Sequence, residues 1–176
     1  PIPNSGVYRG VKRMSEEDLL STPGLEAVAI ETEVPVLVAA AKRAVGAGLH
    51  IHHDKPGGVN FSGFQELLNL AKQKKRIVQM GYMLRYNPAF QFMYRAVKEG
   101  WLGEIMEVDA MMGKMASSSL RKELARYEGG GMFELACHLI DSVVFVLGKP
   151  KSVRCYNVNS QGDEVRDNQL AVLQYE

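Results

Sequence analysis

Two groups of polar residues have the types and spacing that charge-stabilising and acid–base chemistry requires. The first is Asp54-Lys55-Pro56, which is followed by two glycines. Proline restricts the residue before it to extended backbone angles, so the direction of the Lys55 ammonium is constrained. Such an ammonium can stabilise a developing alkoxide. A turn with a solvated lysine has the same sequence, and the spacing leaves both interpretations open.

The second group comprises Glu134, His138 and Asp141. Side chains four positions apart share a face of a helix, so we predict a hydrogen bond between Glu134 and His138. A carboxylate on one ring nitrogen fixes the tautomer and leaves the other nitrogen free for proton transfer. A buried histidine paired for purely structural reasons is the alternative interpretation.

Two further features carry weaker signals. His50 and His52 alternate onto one face of a predicted strand and, with His138, have the donor types of a zinc site. We nevertheless predict no metal, because no second group with ligand spacing accompanies them. Asn87 is predicted to cap a helix that begins at Pro88, and Arg85 can face a substrate.

The elements that must position these residues alternate through the first half of the chain. We predict strands over 25–31, 49–53 and 76–84, separated by a helix that begins at Pro35 and a helix over 61–75. This alternation favours a parallel sheet, whose ligands bind at the carboxyl ends of the strands.

The second half has a different rhythm. We predict helices over 88–99 and 132–147 and strands over 104–112, 151–158 and 167–175. The predicted fold class is therefore α/β. A partial Rossmann-like parallel sheet over residues 1–84 precedes part of an α+β open-sheet domain over residues 85–176.

Composition excludes several classes of protein. The 176 residues carry 21 Lys and Arg against 20 Asp and Glu, a formal net charge of +1. This balance argues against a nucleic-acid partner, and no apolar run is long enough for a membrane span. Two cysteines favour a cytoplasmic location over a disulfide scaffold. Export stays open, because the chain begins at Pro1 and we expect the natural N-terminus to be missing.

Four motifs, in order, resemble the Gfo/Idh/MocA family of glucose–fructose oxidoreductase and inositol dehydrogenase. They are LEAVAIET, AGLHIHHDKP, QMGYMLRYNPAF and GGGMFELACHLIDSVVFVLGKPKSV, and the resemblance covers about residues 15–176. The resemblance implies a dehydrogenase that uses NAD or NADP and a homo-oligomer, either a dimer or a tetramer. It also implies a cis peptide bond between Lys55 and Pro56.

The resemblance assigns roles to nine residues. The catalytic residues would be Lys55, the proton-transferring His138 and Glu134. The cofactor would contact Thr32, Asp54, Lys55 and Pro56, and the substrate would contact Arg85, Asn87 and Asp141.

The sequence departs from the family pattern at several points. Asp54 replaces a glutamate, Glu134 replaces an aspartate, and Glu33-Val34 replaces Pro-Asn after Thr32. The glycine fingerprint G-x-G-x-x-G of dinucleotide-binding domains is absent. We therefore expect these 176 residues alone to be inactive.

The function implied is transfer of a hydride from a secondary alcohol of a sugar, a cyclitol or a related polyol to NAD or NADP. Two other classes stay open at this point. One is a metal-dependent hydrolase that uses the strand histidines, and the other is a catalytically silent oligomerisation module.

Overall fold

The first half of the chain forms a small parallel sheet. The computed structural model describes residues 10–176. Strands β1 (Ala27–Ile30), β2 (His50–His53) and β3 (Val78–Met80) lie in the order β1-β2-β3, and both neighbouring pairs are parallel. The predicted parallel arrangement is confirmed. Because all three strands run in the same direction, the segments that follow them emerge at the same edge of the sheet.

Three helices accompany these strands, of which the second connects β1 to β2 and the third connects β2 to β3. They are α1 (Glu16–Leu20), α2 (Val34–Gly46) and α3 (Phe61–Lys74). Ser15 caps α1 by accepting a hydrogen bond from the Asp18 amide. Asn60 caps α3 in the same way, through the Gly63 amide.

The core of this half lies between the sheet and the helices α2 and α3. Leu37 and Val45 of α2 and Leu67 of α3 are fully buried, and Ile51 of β2 is nearly so. These apolar residues recur at helical spacing, so the burial of one face stabilises each helix. The strand ends that carry the polar residues are thereby attached to a packed support.

The second half contains four α-helices and one hairpin. The elements are a 3₁₀ turn (Met83–Tyr86), α4 (Pro88–Lys98), α5 (Ser118–Leu124), α6 (Gly130–Glu134), α7 (Cys137–Leu147), β4 (Ser152–Val158) and β5 (Asn168–Gln174). Strands β4 and β5 pair in antiparallel fashion. The mixed α/β architecture agrees with the predicted class, while the domain boundary near residue 85 stays a prediction. None of the helices described over residues 10–176 has the length and apolarity needed to cross a membrane.

The strand predicted over 104–112 is wrong. This segment has no regular secondary structure, and Met106 and Met111 are almost fully exposed. A strand requires a neighbour that completes its hydrogen-bonded ladder, and among residues 10–176 no such neighbour pairs with this segment. Its apolar side chains alone therefore do not make it a strand.

Two other boundaries also differ from the prediction. Strand β3 stops at Met80, and Met83–Tyr86 turn into a 3₁₀ helix. The single helix predicted over 132–147 is two helices, because the hydrogen-bond pattern changes around Leu135 and Ala136. Both of their amides donate to the Gly131 carbonyl, and the His138 amide donates to Leu135 instead of Glu134. This leaves the Glu134 carbonyl free for a side chain.

Candidate active site

Three segments converge where the parallel strands end. Thr32 follows β1, Asp54 and Lys55 follow β2, and Gly81 follows β3. The Gly81 amide donates to the His53 carbonyl at 2.8 Å. A Cβ on Gly81 would lie only 3.2 Å from Asp54 Oδ1, so a larger residue would crowd this edge. The peptide bond between Lys55 and Pro56 is cis, as the resemblance implied.

Lys55 contacts Glu134 from the other half of the chain. Its Nζ donates to Glu134 Oε1 at 2.6 Å and to the Glu134 carbonyl oxygen at 3.0 Å. The Lys55 and Glu134 side chains are only 17% and 27% exposed. In this low-dielectric position the ion pair is weakly screened. Two contacts fix the direction of the ammonium and leave its third N–H available to another oxygen.

The break between α6 and α7 makes this contact possible. In a continuous helix the Glu134 carbonyl would accept from the His138 amide, as the i to i+4 pattern requires. Here the carbonyl accepts from Lys55. The predicted hydrogen bond between the side chains of Glu134 and His138 is not formed in the described part of the chain. Glu134 contacts the ammonium instead.

His138 is buried beside this ion pair. It lies near the start of α7 and is 5% exposed, and the Tyr82 ring meets its ring edge-on at a centroid distance of 6.2 Å. Among the described residues, neither His138 Nδ1 nor Glu134 Oε2 has a hydrogen-bond partner, although both are buried. Burial, and then the positive charge of Lys55, lower the pKa of His138 below its usual value. The neutral ring that results can accept a proton.

Arg85 and Asp141 form a second ion pair at the edge of the site. Arg85 Nε and Nη2 donate to the two Asp141 carboxylate oxygens at 2.7 and 2.6 Å. The guanidinium also lies 4.8 Å from the centre of the Phe145 ring. This two-pronged contact joins the 3₁₀ turn after β3 to α7 and orients both elements. Both carboxylate oxygens of Asp141 therefore accept from Arg85, although the resemblance implied that Asp141 contacts the substrate.

Thr32 and Asn87 lie outside this group of contacts. The Thr32 hydroxyl is exposed and donates to the neighbouring Glu33 carbonyl at 3.4 Å. Asn87 Oδ1 accepts from the Ala89 and Phe90 amides, which confirms that it caps α4. The structure thus brings together Lys55, Glu134 and His138. Asn87 instead caps the N-terminus of α4.

The sequence analysis missed two residues that line the site. Tyr82 and Cys137 border a cavity together with Pro56, Gly57 and Asp141, and its remaining wall is mainly apolar. Burial raises the pKa of the Cys137 thiol to about 11, so the thiol is protonated at neutral pH. Tyr82 lies two residues after the end of β3, and the overlong strand predicted there concealed it.

The strand histidines do not form a metal site. His50 Nδ1 accepts from the Ile77 amide at 2.9 Å, and His52 is exposed. Within residues 10–176, no three His, Cys, Asp or Glu side chains are grouped as metal ligands. The hydrolase interpretation therefore has no support from the geometry.

Comparison with known proteins finds a family model that matches the second half of the chain. The family model described as the GFO/IDH/MocA C-terminal domain matches residues 90–176. The trans-1,2-dihydrobenzene-1,2-diol dehydrogenase of Bos taurus is 26% identical over 162 residues, which are 92% of this chain and 48% of that protein. An uncharacterized oxidoreductase of Synechocystis is 30% identical over 142 residues, which are 78% of this chain and 38% of that protein.

A solved structure agrees with the fold over most of this chain. It is that of a candidate NADPH-dependent oxidoreductase from Desulfitobacterium hafniense, with a TM-score of 0.81 and 22% identity. The match covers 92% of this chain and 48% of that one. Identity at this level shows the fold alone. The chain spans less than half the length of the curated relatives described above.

Proposed function

We propose, on the premise that this chain belongs to the Gfo/Idh/MocA family of oxidoreductases, that the complete protein is an NAD(P)-dependent dehydrogenase. It would take a hydride from a secondary alcohol of a sugar, a cyclitol or a related polyol. The observation that carries the proposal is the Lys55–Glu134 ion pair beside the buried His138, at the carboxyl end of a parallel sheet.

Lys55 would stabilise the negative charge that develops on the substrate oxygen. Two of its N–H groups are directed at Glu134, which fixes the ammonium without occupying its third N–H. A pre-positioned cation costs little reorganisation when the charge forms. In this proposal Glu134 is a positioning residue for Lys55, and this replaces the expectation that it orients His138.

His138 would accept the hydroxyl proton. Its lowered pKa keeps the ring neutral near pH 7, and its unpartnered Nδ1 shows that its hydrogen-bonding capacity is not used up by the described residues. The nearby ammonium disfavours a second positive charge, so the proton would be passed on after it is accepted. Tyr82 packs edge-on against the ring and restricts its orientation.

The residues at the strand ends fit a nicotinamide ring. Pro56, Gly57 and Tyr82 border a cavity with a mainly apolar wall next to Lys55, as a flat apolar ring requires. A bound nicotinamide would supply the acceptor for the hydride. The chain carries no glycine fingerprint for the pyrophosphate. The whole reaction is therefore proposed for the complete protein, and we expect the 176 residues alone to be inactive.

The remaining assignments belong to this proposal. Thr32 and Asp54 stay proposed cofactor contacts, since Asp54 directly follows β2 and Thr32 lies two residues after the end of β1. Arg85 and Asp141 are proposed substrate-side residues that act through their mutual ion pair. A homo-oligomer is proposed, either a dimer or a tetramer.

The experiment that tests the proposal is a titration of the complete protein with NADH and NADPH, followed by nicotinamide fluorescence. We expect saturable binding of at least one of them, and that cofactor would then serve in a screen of polyols and sugars. Absence of binding to both would refute the dehydrogenase and favour the catalytically silent module. Metal analysis of the same sample provides an independent check on the hydrolase interpretation.

A further inference from the structure

His53 is a buried titratable residue that the proposed chemistry does not use. It ends strand β2, two residues before Lys55, and its exposed fraction is 0%. Its Nε2 lies 3.3 Å from the Gly57 carbonyl oxygen. Its Nδ1 is buried and has no hydrogen-bond partner among the described residues. Burying a polar ring with one nitrogen unpartnered costs free energy, so the one hydrogen bond that the ring does make calls for an explanation.

The contact with Gly57 determines where the proton on the ring lies. A carbonyl oxygen only accepts hydrogen bonds, so His53 Nε2 must carry the proton and donate it. A neutral ring then has an unprotonated Nδ1, and adding a proton there would bury an N–H without an acceptor. Burial lowers the pKa of His53, in agreement with a neutral ring. The hydrogen bond to the Gly57 carbonyl and the charge of Asp54 raise the pKa of His53 and so act against the effect of burial.

The loop that His53 contacts is the one that carries Lys55. Gly57 lies against the Phe64 ring of α3, since a Cβ on Gly57 would come within 3.3 Å of that ring. The His53 ring packs on the same Phe64 ring at a centroid distance of 5.8 Å. Gly58 has a φ of +132°, and a Cβ there would lie 2.5 Å from Val38 of α2. The loop is therefore supported by α2, α3 and the imidazole.

We propose that His53 is a positioning residue for Lys55. Its Nε2–H holds the Gly57 carbonyl, and this contact fixes the loop over Lys55–Gly58 so that the ammonium reaches Glu134. A histidine is a polar choice at this position, because His53 shares with Ile51 the buried face of β2. The catalytic consequence rests on the proposed function, whereas the contact itself does not.

Two variants and one control separate positioning from simple packing. His53→Leu fills part of the volume and removes the donor, while His53→Gln keeps an N–H donor on a side chain of similar reach. His52→Leu is the matched control, because His52 is the neighbouring residue on β2 and is exposed. All three are made in the full-length protein.

The first measurement needs no catalytic activity. With ¹⁵N-labelled histidine, we expect the NMR shifts of His53 at pH 7 to show a neutral ring protonated at Nε2. We expect exchange of the Lys55, Gly57 and Gly58 amides to be about tenfold faster in His53→Leu, and to return largely to the wild-type rate in His53→Gln. A ring protonated at Nδ1, or loop exchange unchanged in His53→Leu, would overturn the inference whether or not the protein is a dehydrogenase.

The second measurement addresses catalysis. With the substrate found in the polyol screen, we expect kcat to fall about 10–100-fold in His53→Leu, because a small displacement of a reacting group is enough for such a loss. The dissociation constant of the cofactor should stay within about threefold, His53→Gln should recover part of kcat, and His52→Leu should match the wild type. Equal kcat in His53→Leu and the wild type would refute the positioning role. Failure of the wild type to bind a cofactor would instead refute the proposed function, and the exchange result would still decide the contact.

Discussion

At the scale of single residues, the site depends on one contact between distant parts of the sequence. Lys55 and Glu134 are separated by 79 positions, and their side chains meet at 2.6 Å. Partial burial makes this pair more than a surface salt bridge, whose contribution is usually below about 1 kcal/mol. His138 remains neutral beside it because burial and the ammonium both disfavour its charged form.

Replacement of Lys55 tests the residue assigned to charge stabilisation. We expect Lys55→Met in the full-length protein to lower kcat by about 10²–10³-fold, the effect of removing one donor to a developing oxyanion. The dissociation constant of the nicotinamide cofactor should change much less, because phosphate and ribose contacts lie elsewhere in such domains. Steady-state kinetics and fluorescence titration measure the two effects separately.

A surface lysine provides the control for that experiment. Lys42 forms an exposed pair with Glu66 on α2 and α3, away from the strand ends. Lys42→Met removes the same charge and should leave kcat unchanged. Activity of Lys55→Met equal to that of Lys42→Met would exclude Lys55 from the mechanism.

At the scale of secondary structure, the site depends on where helices begin and where they are interrupted. Asn87 and Pro88 begin α4, as the sequence indicates. The interruption between α6 and α7 was not predicted, because most of residues 132–147 are apolar and hydrophobic periodicity does not show which carbonyl a distant lysine will contact. That interruption gives Lys55 access to the Glu134 backbone.

Removal of the α4 cap distinguishes two roles for Asn87. Asn87→Ala leaves the Ala89 and Phe90 amides without their side-chain acceptor. We expect the free energy of unfolding to fall by about 1 kcal/mol, the usual value for loss of an N-cap. Urea denaturation measures this change. KM for the substrate should stay the same, and a several-fold rise in KM at unchanged stability would favour the substrate contact instead.

At the scale of the whole molecule, a buried arginine joins α5 to the loop between β4 and β5. Arg121 Nε and Nη2 donate to Asp163 at 2.6 and 2.7 Å, and Nη1 donates to Asp167 at 2.7 Å. Arg121 lowers the pKa of Asp163, and the Ser160 hydroxyl together with Arg121 lowers the pKa of Asp167. Two segments distant in sequence, α5 and the loop between β4 and β5, are thereby held together by one guanidinium.

These contacts predict a dependence of stability on pH. A carboxylate whose pKa is lowered by folding contributes stability above its unfolded pKa of about 3.9, and that contribution is lost as the pH falls further. We expect Arg121→Met to unfold at lower urea concentration at pH 7. It should also lose less stability than the wild type between pH 5 and pH 3. Unfolding midpoints across that range measure both effects.

A second arginine serves as the control. Arg95 of α4 forms an exposed pair with Glu99, the C-cap residue of that helix. Arg95→Met should therefore change stability only slightly and keep the pH dependence of the wild type. Identical pH profiles for Arg121→Met and the wild type would contradict the role assigned to Asp163 and Asp167.

The sequence by itself determined the alternation of strands and helices in the first half of the chain, the cap at Asn87, and the resemblance to a known family. These features follow from local periodicity, turn residues and motif order, which are all written along the chain. It also identified Lys55 and His138 as the residues suited to the chemistry.

Only the tertiary structure decided which of these residues meet. It pairs Glu134 with Lys55 in place of His138, directs Asp141 to Arg85, and leaves residues 104–112 without a strand partner. It also buries His53 against the loop that carries the lysine. Such pairings depend on the direction in which each side chain leaves its element and on which carbonyl is left without an amide. Both are set by packing between distant segments, and the order of residues along the chain does not specify them locally.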